Sequence, residues 1–564
     1  MKKIFCLIIA LFLVAPIPAV AENITVQGNM GSFIHYELRE QITTMDGMRK
    51  LDLSFVIPQS FQSPTYQQSI KDVALIFSPD PQEKKKNTDR RGNEIVTATW
   101  AKVPKAVDVR LSFNASSQTK LDTIHTEAPF PLEKFDDRLA YYLKATELVQ
   151  TNHPQIRDLA VRLTIDARTE FDAVQQIISW VVDHIQYVTP PVRYDALYAL
   201  EAGKGNCQNY SHLSSAMLRA VGIPVRIVNG VTLNQSYDIT WQNGVLTLKM
   251  GQGRHSWIEV WFPDLDWVPF DPQNTQLFVS NRFVRIEIGT DNQETKNDGL
   301  LRWTQTQDAT GSPSLQETIH ADFIKDNVKI TGNRQTYGPK NFLLSPDVKA
   351  HFKQIEVKPT PPPPVIPEKV KKELVYDTPF VFGNLQFPED VDFAFPRKTT
   401  ASGKNQFEMT KNFLVETAEY VTTNVTQYAQ IVILRKPLQL KKVGLALHNF
   451  GGEGWLWINI YQDHNGKPGE PLYTSDMVAL DELSLKPGYR WQDFDFGRDN
   501  AVLMPGAYWI ALGFTGSPIV NWFYTYGKPV GPTYGTRYKN VFQENWSGAL
   551  NYEFNYRVVG LTVK

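Results

Sequence analysis

The residue best suited to chemistry is Cys207, which lies where a glycine-rich turn becomes a predicted helix. Gly203 and Gly205 precede it, and from Asn206 onward apolar residues recur at helical spacing until Gly222 interrupts the pattern. A cysteine in the first turn of a helix lies beside unpaired backbone N–H groups and the positive end of the helix dipole. Both favour the thiolate over the thiol. The spacing therefore predicts a nucleophilic sulfur at Cys207.

A histidine and an aspartate follow in two segments of strand-like sequence. Alternation along residues 254–262 predicts a strand with His255 and Trp257 on the same face. A turn then leads to residues 267–272, which include Asp271. A histidine held by a carboxylate can accept the proton of a cysteine thiol, so these segments contain the partners that Cys207 needs.

The hairpin between the two segments makes a demand on strand register. Asp271 shares a face with His255 only if the loop has an odd number of residues, for example residues 262–266. Trp261 then opposes Trp267, and Asp271 lies diagonal to His255 at ~7–8 Å between backbones, within reach of a side-chain hydrogen bond. Such a triad implies acyl transfer, in which a thiolate attacks an amide or ester carbonyl and an amine or water resolves the thioester.

These residues resemble the transglutaminase-like superfamily of papain-type thiol enzymes. The resemblance rests on four segments: Gly205-x-Cys207-x-x-Tyr210, then Gly222-Ile223-Pro224-Val225-Arg226, then His255-Ser256-Trp257-Ile258-Glu259-Val260, and then Trp267-Val268-Pro269-Phe270-Asp271-Pro272. It covers roughly residues 135–290 and implies a papain-like α+β core. It also implies that Cys207 is the nucleophile, His255 the general base and acid, and Asp271 the orienting carboxylate. Gln273 stands where the family often has threonine, a departure that leaves the three roles in place.

Other residues near these segments have competing interpretations. His212 follows the nucleophile by five positions on the same helix, which turns it away and favours a structural role. The second oxyanion donor is not identified: Trp180 and Tyr187 are candidates, and core packing is the alternative for each. Trp257 either lines a substrate cleft or belongs to the core. Asp264 is predicted to form a turn.

The first 21 residues are predicted to be a cleavable signal peptide. Lys2 and Lys3 precede an apolar run over residues 4–14, and the small residues around Ala21 predict cleavage after it. An uncleaved anchor is the alternative, but the run is shorter than the ~20 residues that a membrane span needs. The sequence therefore predicts a periplasmic or secreted protein. Cys6 is lost with the leader, which leaves Cys207 as the one free thiol of the mature chain.

Changes in pattern divide the rest of the chain. Residues 22–130 are predicted to form an N-terminal β-sandwich, with the charge run at 83–91 as a solvated hairpin tip. Residues 131–290 form the predicted catalytic core, with helices at 154–163, 170–185 and 196–200. Residues 291–357 are interpreted as an extension of the core, with a helix predicted at 315–324.

The last third of the chain is predicted to be a separate module. Residues 358–372 form a proline-rich linker that stiffens into an extended rod. Residues 373–564 are predicted to form a jelly-roll-type β-sandwich rich in aromatic residues. A set of its aromatic residues is interpreted either as a platform for glycan or cell-wall contact or as sandwich packing: Trp491, Trp522, Tyr524 and Tyr526.

Composition excludes several classes of function. The formal net charge of the 564 residues is −1, which gives no electrostatic basis for binding nucleic acid. Histidine and cysteine are too sparse for a zinc cluster, and the acidic loop at 291–298 lacks the ligand order of a calcium-binding hand. No cofactor or metal is therefore predicted, and no later segment is apolar enough to form a stable membrane span.

The sequence thus predicts a multidomain α+β protein: β-sandwich, transglutaminase-like core, proline-rich linker and second β-sandwich. The predicted function is thioester-mediated acyl transfer or hydrolysis on protein or peptide amides. Two alternatives remain open. One is a non-catalytic binding or assembly protein built on the same core. The other is an envelope carbohydrate-binding protein that acts through its C-terminal module.

Overall fold

The computed structural model describes most of the chain between residues 23 and 563. The described ranges are 23–132, 136–241, 244–273, 276–335, 343–350, 374–383, 397–401, 405–411, 415–416, 418–420, 426–485, 490–525, 535–540, 543–550 and 553–563. The predicted signal peptide and proline-rich linker lie outside these ranges. Within them, no helix combines the length and apolar character that crossing a membrane requires.

Two β-sheets at the N-terminal end pack face to face. The first contains, in spatial order, Ser314–Gln335, Asn23–Thr43, Ala106–Lys120, Tyr66–Ser78 and Phe61–Gln62. The second contains Arg397–Ala401, Gln406–Lys411, Leu300–Gln305, Met48–Ile57, Glu94–Trp100 and Glu83–Thr88. Strand Ala106–Lys120 alternates buried and exposed residues along its length, as expected for a strand with one face on a core. Side chains of both sheets share one hydrophobic cluster.

The helix predicted at residues 315–324 is wrong. These residues belong to strand Ser314–Gln335, which pairs antiparallel with Asn23–Thr43. The physical reason is a period of two: Leu315, Ile319 and Phe323 pack against the sandwich core on alternate positions, whereas Ile324 is exposed. Since Leu300–Gln305 also pairs with Met48–Ile57, this part of the chain adds strands to the N-terminal sheets in place of the predicted core extension.

The charge run at residues 83–91 is only partly solvated. Strand Glu83–Thr88 is exposed throughout. The tip that follows docks on the core, because Asn93 exchanges two hydrogen bonds with the backbone of Ile288. Arg91 forms ion pairs with Asp89 and Glu294 and is largely buried. The prediction of a solvated tip is therefore wrong for Asp89 and Arg91, whereas the Arg90 side chain is exposed as predicted.

The core between residues 137 and 290 contains helices on an antiparallel sheet. The helices are Asp137–Leu143 (3₁₀), Pro154–Thr164, Glu170–His184, Ala196–Ala202 and Cys207–Ala220. The strands run in the order Asp266–Phe270, Gln252–Phe262, Val225–Thr232 and Phe283–Gly289. The predicted helices at 154–163, 170–185 and 196–200 are confirmed within a few residues. Short strands Gln186–Tyr187 and Lys204–Gly205 pair in parallel beside the last helix.

Both faces of the core sheet are covered. Ile227, Ile258 and Val260 pack with the helices. On the other side, Val228 and Trp257 pack with Tyr66 of the N-terminal sandwich. Every residue of Val225–Thr232 and Phe283–Gly289 is consequently buried. This double coverage explains why these strands lack the alternation typical of a sheet with one solvated face.

A hairpin of the core connects the two ends of the molecule. Its strands, Tyr237–Trp241 and Gly244–Leu248, pair with each other. The first also pairs in parallel with Ser314–Gln335, and the second with Ser547–Leu550. Sheet hydrogen bonding therefore continues from the N-terminal sandwich through the core hairpin to the C-terminal strands.

The C-terminal strands form two antiparallel sheets around their own hydrophobic cluster. One sheet contains Lys467–Thr474, Gly454–His464, Gly506–Gly516, Thr426–Leu434, Thr536–Asn540 and Ser547–Leu550, with Val478–Ala479 at its side. The other contains Thr378–Gly383, Tyr556–Thr562, Leu438–Gly451, Ile519–Thr525 and Ala418–Tyr420, joined by Arg490–Asp495, Val502–Leu503 and Glu553–Phe554. The described residues thus form a β-sandwich.

Two of the four aromatic residues considered for a ligand platform, Trp522 and Tyr524, do not lie at the protein surface. Trp522 and Tyr524 are buried in the sandwich core, where Trp522 stacks on Phe554 at 4.2 Å between ring centroids. Trp491 is half-buried, and Tyr526 lies outside the described residues. Alternate strand positions point inward here, so these rings supply packing area, and of the two interpretations sandwich packing is confirmed for Trp522 and Tyr524.

Candidate active site

The helix Cys207–Ala220, called the cysteine helix below, begins with a capping box. The Asn206 side chain accepts a hydrogen bond from the Gln208 N–H, and the Asn209 side chain accepts one from the Asn206 N–H. A Cβ on Gly205 would lie 2.3 Å from Asn209 Cβ, which explains the glycine at this position. The cap fixes Cys207 as the first residue of the helix, in the predicted first turn.

The strand Gln252–Phe262, called the histidine strand, has the register that loop parity predicted. Trp261 opposes Trp267 in the hairpin with Asp266–Phe270. Phe262 and Asp266 form the last pair, so the loop has three residues instead of the suggested five, and its parity is the same. Asp271 follows the end of its strand at the position opposite Trp257. The predicted diagonal relation between Asp271 and His255 is confirmed.

Cys207, His255 and Asp271 come together in one hydrogen-bonded chain. His255 Nε2 lies 2.9 Å from Oδ2 of Asp271. The other oxygen of this carboxylate accepts a hydrogen bond from the Gln273 N–H at 3.1 Å. The His255 side chain also forms a hydrogen bond with Cys207. Because Nε2 is directed to Asp271, Nδ1 is the ring nitrogen left for the sulfur.

Electrostatics favour a charged imidazole at this position. Burial by itself lowers the pKa of His255. The Asp271 carboxylate and the hydrogen bonds to Asp271 and Cys207 outweigh burial and raise the pKa to about 9. All three side chains are buried, with an exposed fraction of 0% for each. The site is therefore closed in this conformation, and its charges interact at short range with little solvent screening.

Two tyrosines lie beside the cysteine. Tyr187 is buried in the helical core, where burial and the Cys207 charge raise its pKa well above the ordinary value. Tyr210 donates its hydroxyl hydrogen bond to the Ile185 carbonyl. Trp180, the other suggested oxyanion donor, stacks on His184 at 4.2 Å between ring centroids.

His255 also has aromatic neighbours. The rings of Trp257 and Phe283 lie 5.9 and 5.7 Å from the His255 ring, centroid to centroid. Trp257 is buried, so it belongs to the core and lines no open cleft. A Cβ on Gly230, which pairs with His255, would lie 2.3 Å from the Trp257 ring. The glycine therefore makes room for the ring that packs against the imidazole.

His212 has the structural role that its helix position predicted. Its Nδ1 donates to the Tyr194 carbonyl at 2.7 Å, and its Nε2 accepts from the Asn292 N–H at 3.2 Å. Burial lowers the pKa of His212, which keeps the ring neutral and suits one donor and one acceptor nitrogen. Asp264 accepts hydrogen bonds from Thr126 and from the Glu127 N–H, which ties the turn to the preceding domain.

Sequence reasoning missed a buried ion cluster behind the histidine strand. Glu259 is fully buried between Arg226 and Arg285, with a 2.7 Å contact to Arg285 Nε. Arg226 opposes Glu259 directly across the sheet and stacks over Trp267, 4.1 Å from the ring centroid. Both residues lie in the segments quoted above for the resemblance, so opposite charges at facing strand positions were the available signal.

A second missed cluster joins the histidine strand to the N-terminal sandwich. Arg254, next to His255, pairs with Asp298 and with Glu317 of strand Ser314–Gln335, at 2.9 Å for Glu317. All three side chains are almost entirely buried. In the part of the chain that the structure describes, no group of three or more His, Cys, Asp or Glu side chains is arranged to hold a metal ion.

Comparison with known proteins places this site in a recognised domain. Residues 157–272 match the sequence pattern of the transglutaminase-like superfamily. The uncharacterised YebA of Bacillus subtilis is 32% identical over 126 residues, which are 21% of this chain and 17% of that protein. The uncharacterised ML0607 of Mycobacterium leprae is 26% identical over 211 residues, which are 34% of this chain and 70% of that protein. The chain thus matches less than a fifth of YebA.

Solved structures give weaker likenesses. A protein of Cytophaga hutchinsonii described as a proposed cysteine protease aligns with a TM-score of 0.40 and 18% identity, over 54% of this chain and 94% of that chain. The periplasmic domain of TgpA from Pseudomonas aeruginosa aligns with a TM-score of 0.23 and 15% identity, over 42% and 86%. Both scores are below 0.5, so the domain assignment rests on the sequence match over residues 157–272.

Proposed function

Because residues 157–272 form a transglutaminase-like domain, we propose that the protein is a cysteine-dependent acyltransferase or hydrolase acting on amides of proteins or peptides. The observation that carries the proposal is the contact of one imidazole with two groups. His255 bonds Asp271 through Nε2 and also bonds Cys207 at the start of a helix. A buried thiol, imidazole and carboxylate in this order form the relay of a thiol acyl-transfer enzyme.

In the proposed reaction the Cys207 sulfur, as thiolate, attacks the amide carbonyl carbon and forms a carbon–sulfur bond. The carbon–nitrogen bond then breaks, and protonated His255 gives its proton to the leaving amine. Water or a second amine attacks the thioester, His255 takes its proton, and the acyl group leaves the sulfur. The backbone N–H of Cys207 supports the oxyanion in both steps. Asp271 orients the ring and stabilises its charged form.

One observation favours a second candidate, a non-catalytic binding or assembly protein. None of the three side chains is exposed, so substrate reaches the sulfur only if a covering segment moves. Burial against the polar His255 ring, instead of hydrocarbon alone, supports the enzyme over this candidate. A structural cysteine has no need of a histidine–carboxylate partner.

We also propose that the protein acts in the periplasm or outside the cell. Support comes from the sequence of residues 1–21, with Lys2 and Lys3 before an apolar run and small residues up to Ala21. Mass determination of the N-terminus of protein recovered from the native cell envelope tests this proposal. A mature N-terminus at Glu22 supports it, and an intact leader overturns it.

The decisive experiment compares the mature protein with Cys207→Ala on a peptide library. Ammonia release, amine incorporation and backbone cleavage are followed separately, because they distinguish deamidation, crosslinking and hydrolysis. We expect one of the three in the wild type and none in Cys207→Ala. Labelling by iodoacetamide at neutral pH tests access to the sulfur. Absence of both labelling and turnover, with folded protein, would favour the non-catalytic candidate.

A further inference from the structure

The loop end of the C-terminal sandwich contains a cleft of about 440 Å³. It lies between the glycine-rich turn at residues 451–454 and the segment 479–485. The turn connects strands Leu438–Gly451 and Gly454–His464, and the opposite wall begins in the short strand Val478–Ala479. The cleft is distant in sequence from Cys207, and the proposed acyl transfer makes no use of it. Its volume falls in the range of small-ligand sites.

An exposed tryptophan forms one wall. Along Gly454–His464, Leu456 and Ile458 point into the sandwich, so Trp455 and Trp457 share the outer face. Trp455 stands between Ala479 and Thr515 on its neighbouring strands and is 48% exposed. A large aromatic ring with half of its area in water gains little from folding, which points to contact with a ligand.

The next ring along this face, Trp457, lies just beyond the residues that line the cleft. Trp457 pairs with Gly513, and a Cβ on Gly513 would lie 2.4 Å from the Trp457 indole. The ring therefore lies across the neighbouring strand at a position that only glycine leaves open. Residues two apart on a strand are separated by about 6.6 Å, so the two indoles form a short row.

Two carboxylates border the tryptophan. Glu453 and Asp481 are exposed and line the cleft, and within the described residues neither carboxylate has a hydrogen-bond or ion-pair partner. Among the described residues, no Lys, Arg or His lines the cleft. Leu485, 65% exposed, adds an apolar edge. The described lining of the cleft thus combines flat apolar area with strong hydrogen-bond acceptors and contributes no positive charge.

The turn that carries Glu453 is held in place by its backbone. The Ser517 N–H donates to the Glu453 carbonyl at 2.8 Å. Gly452 and Gly454 have φ of 90° and 135°, and a Cβ at either would lie about 2 Å from the carbonyl oxygen of Ser517 or Thr515, respectively. A rigid turn loses little conformational entropy on binding, as expected of a preorganised site.

We propose that this cleft binds an uncharged saccharide. The C–H face of a pyranose ring stacks on the Trp455 indole, with a second ring over Trp457, and its hydroxyls donate to Glu453 and Asp481. An anionic polymer is disfavoured because both charged groups that the described residues place in the cleft are negative. A lysine-rich peptide would satisfy the carboxylates but needs no extended row of flat rings. This site is separate from the residues Trp522 and Tyr524, which lie in the sandwich core.

The test measures binding of soluble β-1,4-linked gluco-, xylo- and chito-oligosaccharides to the mature full-length protein by titration calorimetry. A hexalysine peptide and an alginate oligomer are the charged probes. Variants are Trp455→Ala, Asp481→Asn and Cys207→Ala. Phe450→Ala is the matched control, since Phe450 is equally exposed on the same hairpin but does not line the cleft. Thermal unfolding curves show whether each variant remains folded.

We expect at least one oligosaccharide to bind, with a Kd raised tenfold or more by Trp455→Ala and several-fold by Asp481→Asn. Phe450→Ala and Cys207→Ala should change the Kd by less than twofold. Saccharide binding is then tested independently of the proposed acyl transfer at Cys207. Absence of binding to every neutral oligosaccharide at millimolar concentration overturns the proposal. A Kd that Trp455→Ala leaves unchanged, or tighter binding of hexalysine or alginate than of the neutral oligosaccharides, overturns it as well.

Discussion

His255 Nε2 lies 2.9 Å from Oδ2 of Asp271, and both side chains are fully buried. The carboxylate fixes which ring nitrogen is directed to Cys207 and raises the pKa of the imidazole against the effect of burial. Asparagine at position 271 keeps the shape of the side chain but removes the charge. The contact therefore gives a direct test of the proposed relay.

We expect Asp271→Asn to lower kcat by ~10³–10⁴-fold, since the amide favours the wrong tautomer and no longer stabilises the imidazolium. The pKa of His255 should fall at the same time, which NMR titration of the ring can follow. Asp264→Asn is the control because Asp264 bonds Thr126 and the Glu127 N–H, away from the relay. A rate within threefold of wild type in Asp271→Asn would contradict the proposed role.

Glu170 makes stability depend on pH. The side chain is buried, neither carboxylate oxygen has a hydrogen-bond partner among the described residues, and burial followed by the Asp264 charge raises its pKa to about 9. The raised value means that its favourable contribution is fully present below about 4.5 and is lost as pH rises toward 9.

Glu170→Gln removes this titration. We expect the unfolding free energy of wild type, relative to the variant, to fall by roughly 1.4 kcal/mol per pH unit between pH 6 and 8. Chemical denaturation at pH 6, 7 and 8 measures the trend. Exposed Glu127→Gln should leave the pH dependence of wild type in place. Parallel curves for wild type and Glu170→Gln would show that the carboxyl is ionised in the folded protein.

Glu259 is the shared counterion of two buried arginines, Arg226 and Arg285. Within the described part of the chain, Glu259→Gln removes the only negative charge in direct contact with both Arg226 and Arg285. We expect a loss of about 3–5 kcal/mol in unfolding free energy, because two buried guanidinium groups then lack a counterion. The exposed Glu83–Lys85 pair supplies the comparison: Glu83→Gln should cost at most ~0.5 kcal/mol. Similar losses in the two variants would be inconsistent with a buried ion cluster.

Gly230 is required by the packing of the active site. An alanine Cβ there would lie 2.2 Å from the Val284 carbonyl oxygen and 2.3 Å from the Trp257 ring, which packs on His255. Gly230→Ala should therefore destabilise the protein by about 1–3 kcal/mol and lower kcat through displacement of the imidazole. Gly31→Ala is the matched strand control, because its Cβ would have open space. Equal stability of the two variants in thermal unfolding would refute the argument.

Much of the site can be predicted from the sequence because helix capping and hairpin parity depend on residues that are close together in the chain. The glycine turn and capping residues fix Cys207 at a helix start, and the parity of a short hairpin fixes Asp271 relative to His255. The charge on Glu317 hid the period of two in strand Ser314–Gln335, because its partner Arg254 comes from a distant strand. Burial of a charge depends on that partner, which local pattern does not reveal.

Local sequence patterns also do not predict that Cys207, His255 and Asp271 are completely buried. The loop residue Asn281 is polar, yet it is buried where the N-terminal sandwich meets the core, with Ser32 donating to the Asn281 carbonyl. The inward direction of Trp522 and Tyr524 likewise depends on which face of a strand meets the second sheet. These outcomes follow from how separate parts of the chain dock.

The pairing of Asn23–Thr43 with Ser314–Gln335 sets an order on biosynthesis. Asn23–Thr43 leaves the ribosome early, but Ser314–Gln335 is made only after residues 207–271, which contain Cys207, His255 and Asp271, have been translated. The first sheet of the N-terminal sandwich therefore cannot be completed until that region has been made. Until then Asn23–Thr43 lacks this long neighbour and the short parallel strand Leu343–Pro346, and such non-local pairing forms slowly. A nascent chain stopped before residue 314 should consequently bind chaperones that recognise unpaired strand edges.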